Sequence, residues 1–285
     1  MNAVLVDYEI AIRLIIFFGV FSAIAVWEYR SPKRTLKVAK GRRWLSNIAL
    51  VALNSLVLRL LFPVAAVGVA SYCAREGWGL LNYFGLQSLI TTVLTVIVLD
   101  LVIYLQHVLV HSVPVLWRVH RVHHADLDYD VTTGSRFHPF EIVFSMMIKM
   151  AVIYVLGPSV VAVIVFEVLL NACAMFNHGN IHLPKSIDKV LRWWLVTPDM
   201  HRVHHSVEVD ETNSNFGFSL PWWDRLFGTY RSQPRKSHQD MVIGINQYRD
   251  PREVNQLFGM LRLPFVGKVT EYASGSRVKD ESTKS

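Results

Sequence analysis

The chain has 285 residues, 52% of which are hydrophobic, and its mean hydropathy of +0.31 is too high for an ordinary soluble domain. The net charge of +7 does not by itself point to nucleic acid, because in a membrane protein the position of basic residues matters more than their sum. Only two cysteines occur, Cys73 and Cys173, both in or beside apolar runs, which indicates neither a disulfide framework nor a thiolate zinc site.

Long apolar runs define the predicted elements. A spanning helix needs about 20 residues, and three runs approach or exceed that length: Ile10–Trp27, Leu45–Ser71 and Ser88–His111. A fourth region, Glu141–Phe176, is too long for one helix and is interrupted by Gly157 and Pro158, so it predicts a hairpin of two helices, the first rather short. We expect no cleavable signal, because the first run lacks a basic region before it. The predicted fold is an all-α membrane protein with a bundle of four to five transmembrane helices.

The loops orient these helices. The stretch EYRSPKRTLKVAKGRR, after the first run, carries seven basic residues, whereas CAREGWGLLNYFGLQ, after the second, carries one. The positive-inside rule places the first loop in the cytoplasm, and the later crossings then return the chain to that side. Eleven of the twelve histidines lie at or just beyond helix ends on that face, and His238 lies further along on the same side. We therefore expect a multi-pass membrane protein whose histidine-rich helical cap is cytoplasmic.

The chain divides into three predicted parts. Residues 1–87 hold N-terminal transmembrane helices, residues 88–235 form a catalytic part with spans and cap, and residues 236–285 form a C-terminal cytoplasmic segment. Leu191–Val196 is too short to span, and its Trp193 and Trp194 pair predicts an interfacial segment. The polar composition from Lys268 onward predicts disorder over the last eighteen residues.

The histidines fall into four spaced motifs. Two are H-x3-H pairs and two are triples inside an identical pentapeptide, HRVHH: His107 and His111; His120, His123 and His124; His178 and His182; His201, His204 and His205. Residues at i, i+3 and i+4 share one helix face, with Cβ atoms about 5–6 Å apart, so two such imidazoles can chelate one metal and a third can reach a second metal. One pair and one triple supply five ligands, and the chain holds that set twice. This pattern predicts a cage for two metal ions.

Two simpler readings compete with the cage. A lone histidine in an apolar helix is more often a packed residue than a ligand, and a basic patch for lipid headgroups would account for Arg118, Arg121 and Arg202. Neither reading accounts for four clusters at helical spacing on one predicted face. Imidazole suits zinc, copper, iron and nickel alike, but five neutral ligands per metal exceed the four of a tetrahedral zinc site. Five ligands per metal leave one open position on a roughly octahedral ion, which favours two redox-active iron ions that bind O2 there.

These motifs, with NHGNIH, TPDMHRVHH and NFGFSLPWWDRLFGTY, resemble the fatty acid hydroxylase / sterol desaturase superfamily of integral-membrane di-iron enzymes. The resemblance covers about Leu94 to Tyr230 and implies O2-dependent oxidation of a lipid C–H position, with all ten clustered histidines as metal ligands. The segment TTGSRFHPFE resembles an intermediate motif of the family, which implies an auxiliary role for His138 and suggests Glu141 beside it. The C-terminal motif looks most similar to the alkylglycerol monooxygenase branch. Where that branch has a glutamate after its H-x2-HH, this chain reads ADLDYD, with Asp126 and Asp128.

Ionisable residues inside the predicted spans are a separate signal. Asp100 shares a helix face with His107, and Glu167 shares one with His178, so we expect the two helices to face each other with Arg59 as a possible partner. The alternatives are a structural ion pair that orients the bundle and a role in lining a lipid tunnel or relaying protons. Near the ligands, four residues are candidate acceptors for imidazole N–H groups: Asp199, Asn177, Asn180 and Asp224. His238 has no partner at helical spacing and is expected to be a solvated loop residue.

The predicted function is a membrane-bound di-iron lipid monooxygenase that hydroxylates a fatty acyl, alkyl or sterol carbon. Its electrons would come from an external reductase, ferredoxin or cytochrome, because the sequence shows no flavin, haem or iron–sulfur motif. Desaturation by the same ligands is the first alternative. A metal transporter is less favoured, because transporter sites lie near the bilayer midplane, and a zinc hydrolase on the same scaffold is a further alternative. The sequence indicates no nucleic acid partner and does not decide the oligomeric state.

Overall fold

The computed structural model describes residues 8–269 and 272–273, and these are almost entirely helical. Over this range there is no β-strand, only two isolated bridges, Pro32 with Ile181 and Ser206 with Ile243. Most of the predicted disorder after Lys268 falls on residues outside the described ones. The helices are α1 Glu9–Arg30, α2 Lys40–Leu61, α3 Ala65–Glu76, α4 Leu80–Tyr83, α5 Leu89–Ser112, α6 Pro114–His124, α7 Pro139–Leu156, α8 Val160–Asn177, α9 Lys185–Leu191, α10 Pro198–His204, α11 Val209–Thr212, α12 Trp222–Leu226, α13 Pro251–Val254 and α14 Leu257–Arg262.

Five helical stretches are long and apolar enough to cross a membrane: α1, Lys40–Tyr83, α5, α7 and α8. The all-helical membrane fold is therefore confirmed. The third run begins where Ser88 caps α5 through a reciprocal bond pair with Thr91. The predicted hairpin is α7 and α8, and α7 ends at Gly157, whose φ of +60° is the left-handed conformation that terminates helices. Both hairpin helices have 18 residues, so the first is no shorter than the second.

The second predicted run is not one helix, and this corrects the expectation for Leu45–Ser71. The helix is interrupted between the end of α2 at Leu61 and the start of α3 at Ala65. Pro63 explains the break, because its ring has no N–H to donate and it disfavours the helical conformation of the residue before it. Phe62 accordingly has φ −128° and ψ 71°.

The hairpin helix α8 occupies the centre of the bundle. It packs against α1, α3 and α5. The core between α3, α5, α7 and α8 is built mainly from aliphatic side chains that include Leu99, Ile153 and Val163. The C-terminal ends of α5 and α8 and the N-terminal end of α7 lie at the same end of the bundle, where α6 and α10 cover them. This arrangement brings the histidine motifs to one place.

Three aspartates after the first HRVHH tie the loop between α1 and α2, and the first turn of α2, to this cap. Arg43 is fully buried, with Nε 3.1 Å from Asp126 Oδ1 and Nη2 2.6 Å from Asp130 Oδ2. Asp128 accepts the backbone N–H groups of Lys37 and Val38 at 2.8 and 2.7 Å. The ADLDYD stretch therefore anchors the loop through Asp128 and the first turn of α2 through Asp126 and Asp130, so its carboxylates bond to these segments rather than to the histidines.

Candidate metal centre

Nine histidines from four helix ends converge in the cap, and each is 5% exposed or less. Their ring nitrogens form two groups, and within each group these atoms lie within 4.8 Å of one another. The first group has five members: His107, His111, His120, His124 and His204. The second has four members: His123, His178, His201 and His205.

Each HRVHH copy contributes to both groups. The first copy gives His120 and His124 to the five-histidine group and His123 to the four-histidine group. The second copy gives His201 and His205 to the four-histidine group and His204 to the other. In each copy, the histidines at i and i+4 belong to the same group and the histidine at i+3 belongs to the other group. The reason is that the i+3 and i+4 side chains leave the helix in different directions. The repeated pentapeptide is thus the element that joins the two groups.

The ring nitrogens approach each other at the separation that a shared metal would impose. His107 Nε2 lies 3.0 Å from His204 Nε2, and His178 Nε2 lies 3.2 Å from His123 Nε2 and from His205 Nε2. Two imidazoles at right angles on one metal, each at about 2.0–2.1 Å, place their nitrogens about 3 Å apart. The buried Nε2 of His120 has no hydrogen-bond partner among the described residues. The donor set therefore fits metal ions.

Backbone carbonyls orient three of the rings. His107 Nδ1 donates to Phe216 O at 2.8 Å, His178 Nδ1 to Ala174 O at 2.8 Å, and His204 Nδ1 to Ser214 O at 2.7 Å. A carbonyl oxygen can only accept, so the proton sits on Nδ1 and the lone pair of Nε2 faces the group. Sequence reasoning sought acidic and amide side chains in this role and could not see main-chain acceptors, which carry no residue signature.

Glu141 orients a fourth ring. Its Oε1 accepts from His120 Nδ1 at 2.6 Å, which leaves His120 Nε2 directed toward the five-histidine group. Glu141 lies in the first turn of α7, two residues after Pro139, so the start of a membrane-spanning helix positions it. A carboxylate behind an imidazole fixes its tautomer and raises its basicity as a ligand.

Burial favours the neutral form of six of the cap histidines. Burial lowers the pKa of His178 and of His204 to about 3. Burial, followed by the neighbouring imidazoles, also lowers the pKa of four other cap histidines: His123, His124, His201 and His205. Because only the neutral ring has a lone pair to give, burial keeps these groups ready to bind metal at neutral pH.

His182 is not brought into either group, although its spacing from His178 suggested a pair. Helix α8 ends at Asn177, with His178 as its C-cap, so His182 does not sit one turn further along a helix. Its segment is extended, its backbone N–H donates to Ser31 O at 2.9 Å, and its side chain is exposed. The helical spacing assumed for this pair was wrong because the glycine and asparagine after His178 end the helix.

Four candidate auxiliary residues bond to other groups. His138 caps α7 by accepting from Phe140 N, and its Nε2 lies 3.3 Å from Leu261 O. Asn177 donates to Phe218 O. Asp199 pairs with Lys33 at 2.5 Å and with Arg202 at 2.6 Å, and Asn180 exchanges bonds with the backbone of Arg34. Their common role is to hold the loops that surround the histidines.

His238 differs from its prediction as a solvated residue. Its side chain is only 10% exposed and lies 3.9 Å from Asp199 Oδ2. Burial, with the nearby Arg202, lowers its pKa to about 4 despite the opposing charge of Asp199. Tertiary packing of the segment after α12 onto the cap covers this ring, which local spacing could not show.

Asp224 acts on the site through the backbone. It accepts from Phe216 N at 2.7 Å and Gly217 N at 2.8 Å, and Thr229 donates its hydroxyl at 2.7 Å. The loop that it holds carries Phe216 O, the acceptor for His107. Burial raises the pKa of Asp224 to about 6, and the hydrogen bonds that it accepts oppose that shift.

The two buried acids of the spans have different partners from those suggested by the sequence. Helices α5 and α8 do pack together, but Asp100 accepts from Trp223 Nε1 at 2.9 Å and Leu220 N at 3.2 Å, which links α5 to the cap. Glu167 pairs with Arg13 and with Lys149, both at 3.0 Å. Arg59, the suggested partner, is exposed.

A cavity of about 320 Å³ leads from the five-histidine group into the bundle. His107 and His120 line one end, and Arg13, Lys149 and Glu167 line the other. Along α8, the lining residues run from Glu167 to Met175, eight residues later, or about 12 Å at 1.5 Å per residue. Apolar side chains form much of the wall between the two ends, among them Leu58, Ile103, Met146 and Leu170. The shape and lining suit an aliphatic chain.

Comparison with known proteins agrees with this geometry. The family model described as fatty acid hydroxylase matches residues 92–229, which hold all nine converging histidines. Ornithine lipid hydroxylase OlsE of Rhizobium tropici is 30% identical over 152 residues, covering 53% of this chain and 45% of the relative. The chain belongs to the fatty acid hydroxylase / sterol desaturase superfamily.

Other superfamily members act on different lipids, as their names state. Alkylglycerol monooxygenase of Xenopus tropicalis is 30% identical over 216 residues, covering 73% of this chain and 46% of the relative. Cholesterol 25-hydroxylase of Mus musculus is 25% identical over 150 residues, covering 52% of this chain and 49% of the relative. The chain thus spans about half the length of each of these relatives or less. No solved structure matches it.

Proposed function

We propose that this superfamily member is a membrane-bound di-iron enzyme that uses O2 to hydroxylate a C–H position of a lipid. The observation that carries the proposal is the pair of buried histidine groups, five and four residues, beside an apolar cavity inside a membrane-spanning bundle. The relatives named as hydroxylases and monooxygenases of lipids support the reaction class.

The nine converging histidines would hold the two iron ions, with five ligands on one and four on the other. The irons would supply the reduction of O2 and the oxidation of the C–H bond. Hydroxylation adds one oxygen atom to the lipid and releases the other as water, which consumes two electrons and two protons. An external donor would deliver the electrons from the cytoplasmic side, an orientation that the arginine- and lysine-rich loop before α2 supports through the positive-inside rule.

The chain's own groups would orient the reaction. The carbonyls of Phe216, Ala174 and Ser214 and the carboxylate of Glu141 hold four rings with their Nε2 atoms inward. The cavity would hold the lipid chain with one end at His107 and His120, and the apolar wall between the two ends would contact its methylene groups. The lipid carbon nearest these two histidines is the one that we expect to react.

Metal analysis of the detergent-purified, untagged protein tests the proposal. We expect about two irons per chain. His123→Ala and His204→Ala each remove one histidine, from the four-histidine and the five-histidine group respectively, and should lower the iron content. His182→Ala is the matched control and should keep both metals, because its side chain is exposed and outside the groups. One metal or none in folded wild-type protein would contradict the cage.

Product analysis then separates the reaction types. Incubation with a lipid mixture, an electron donor and labelled O2 should give a product that has gained one labelled oxygen. A product that has lost two hydrogens would identify a desaturase instead. Turnover that persists without O2 would favour a zinc hydrolase.

A further inference from the structure

Two buried acceptor oxygens on the cavity wall receive no hydrogen bond from any described residue: Asn54 Oδ1 and Glu141 Oε2. Each residue is 6% exposed. Asn54 donates its Nδ2 to Phe137 O at 2.8 Å, which sets the orientation of the amide. Glu141 uses its other oxygen, Oε1, for His120. Both unpaired atoms are therefore acceptors and not donors.

Gln106 adds a third polar group to the same wall. Its Oε1 is buried and also has no hydrogen-bond partner among the residues described. The three residues come from three different helices, α2, α5 and α7, so they converge on the cavity only in the tertiary structure. Leaving a buried polar group unpaired costs about 1–3 kcal/mol, and three in one wall indicate a ligand that supplies what is missing.

The missing partner is a hydrogen-bond donor near the metal ligands. Glu141 bonds to His120, and Asn54 bonds to Phe137 O just before the start of α7, so a group that bonds to Asn54 and Glu141 lies at the histidine end of the cavity and not at the Lys149 end. A carboxylate would be repelled by the Glu141 carboxylate and offers no donor. A bare methylene would displace water and leave both acceptors unpaired. A hydroxyl group supplies the donor without charge.

We propose that the substrate of this enzyme is a lipid with a hydroxyl group close to the carbon that is oxidised, and that Asn54 Oδ1 and Glu141 Oε2 share its single proton as the two acceptors of a three-centre hydrogen bond. This substrate class rests on the proposed function, because it identifies the cavity as the substrate site. A lipid without the hydroxyl would leave Asn54 and Glu141 buried and unpaired, so it would bind more weakly than the hydroxyl-bearing lipid.

Binding to zinc-loaded protein tests the substrate class without turnover. The probes are 1-dodecanol and 1-methoxydodecane, which differ in that the ether cannot donate, and native mass spectrometry counts the bound probe. We expect wild type to prefer the alcohol about tenfold, the value of one buried hydrogen bond. The preference should disappear in Asn54→Leu. Partition of the probes into detergent cancels, because the ratio is compared between variants in the same detergent.

Asn47→Leu is the matched control. Asn47 is also a buried asparagine of α2, two turns earlier, but it bonds to Thr132 and does not line the cavity. It should therefore keep the preference for the alcohol. If Asn54→Leu does not fold, Glu141→Gln replaces it. That amide can still accept from His120 while its NH2 group faces the cavity, so the preference should shift toward the ether.

A preference that survives in Asn54→Leu, or in Glu141→Gln where the former does not fold, would overturn the proposal, as would a wild type that binds both probes equally. Metal content is measured on the same samples. Two metals per chain with no alcohol preference would overturn the substrate class alone. A wild type with fewer than two metals would instead count against the proposed function.

Discussion

Removing the carboxylate of Glu141 should weaken one metal site and spare the other. Glu141 contacts only His120 among the converging histidines, through a 2.6 Å bond to Nδ1. His120 belongs to the five-histidine group. We therefore expect Glu141→Ala to lower the affinity of that group for metal, while the four-histidine group, oriented in part by Ala174 O, keeps its affinity.

The size of the effect follows from the burial of this contact. In Glu141→Ala the buried N–H of His120 loses its acceptor, and an unpaired buried donor costs about 1–3 kcal/mol. Removing a group behind a metal-bound imidazole usually lowers metal affinity about 10–100-fold, or about 1.4–2.7 kcal/mol, which falls within that range. Glu141→Gln keeps an uncharged acceptor oxygen and should lose about threefold to tenfold, since charge-assisted bonds are about twice as strong as neutral ones.

Graded chelation provides the assay. The metal that remains per chain is measured against chelator concentration for wild type, the two Glu141 variants and His182→Ala as the control. Wild type and the control should release both metals at similar chelator concentrations, whereas Glu141→Ala should show a plateau at one metal per chain. The reasoning would be refuted if Glu141→Ala released both metals together at a lower chelator concentration, or if it behaved as wild type.

Three further predictions concern stability, and each is measured as the melting temperature in detergent. Glu167→Ala leaves Lys149 without its carboxylate partner inside the bundle, while Arg13 keeps Glu9, and the change should cost about 3–5 kcal/mol; an unchanged melting temperature would show that the ion pairs contribute nothing. Gly157→Ala should destabilise by about 1–2 kcal/mol or more, because φ is +60° and a Cβ would lie 2.2 Å from a backbone carbonyl oxygen, whereas Gly19→Ala, with open space around it, should not. The metal-free protein should be most stable above pH 6.5 and lose stability as the pH falls toward 3. Unfolded histidine takes up a proton near pH 6.5, whereas folded His178 and His204 remain neutral to a pKa of about 3, so each contributes about 1.4 kcal/mol per pH unit across that window. A melting temperature that does not change between pH 7.5 and 5.5 would contradict their neutral burial.

Local patterns were sufficient for the membrane helices and for most of the metal centre. Apolar length identifies α1, α5 and the α7–α8 hairpin, because spanning a bilayer constrains a helix by length and polarity alone. The i, i+3 and i+4 spacing brings ring nitrogens together within one helix, so nine of the ten predicted ligands converge. The spacing fails for His182, where the chain leaves the helix at Asn177. The apolar run Leu45–Ser71 does not form one helix, because Pro63 ends the helical conformation within it.

Only the tertiary structure decided what surrounds the ligands and what each HRVHH copy does. The acceptors for three rings are main-chain carbonyls, which every residue carries, so no residue type could mark them. The cavity wall joins Asn54, Gln106 and Glu141 from three helices. Glu167 pairs with Arg13 and Lys149 because α1 and α7 pack around α8, and distance along the chain does not indicate these partners. The sequence determines which groups are present and their spacing within one helix, whereas contacts between helices depend on how the helices pack, which no local period encodes.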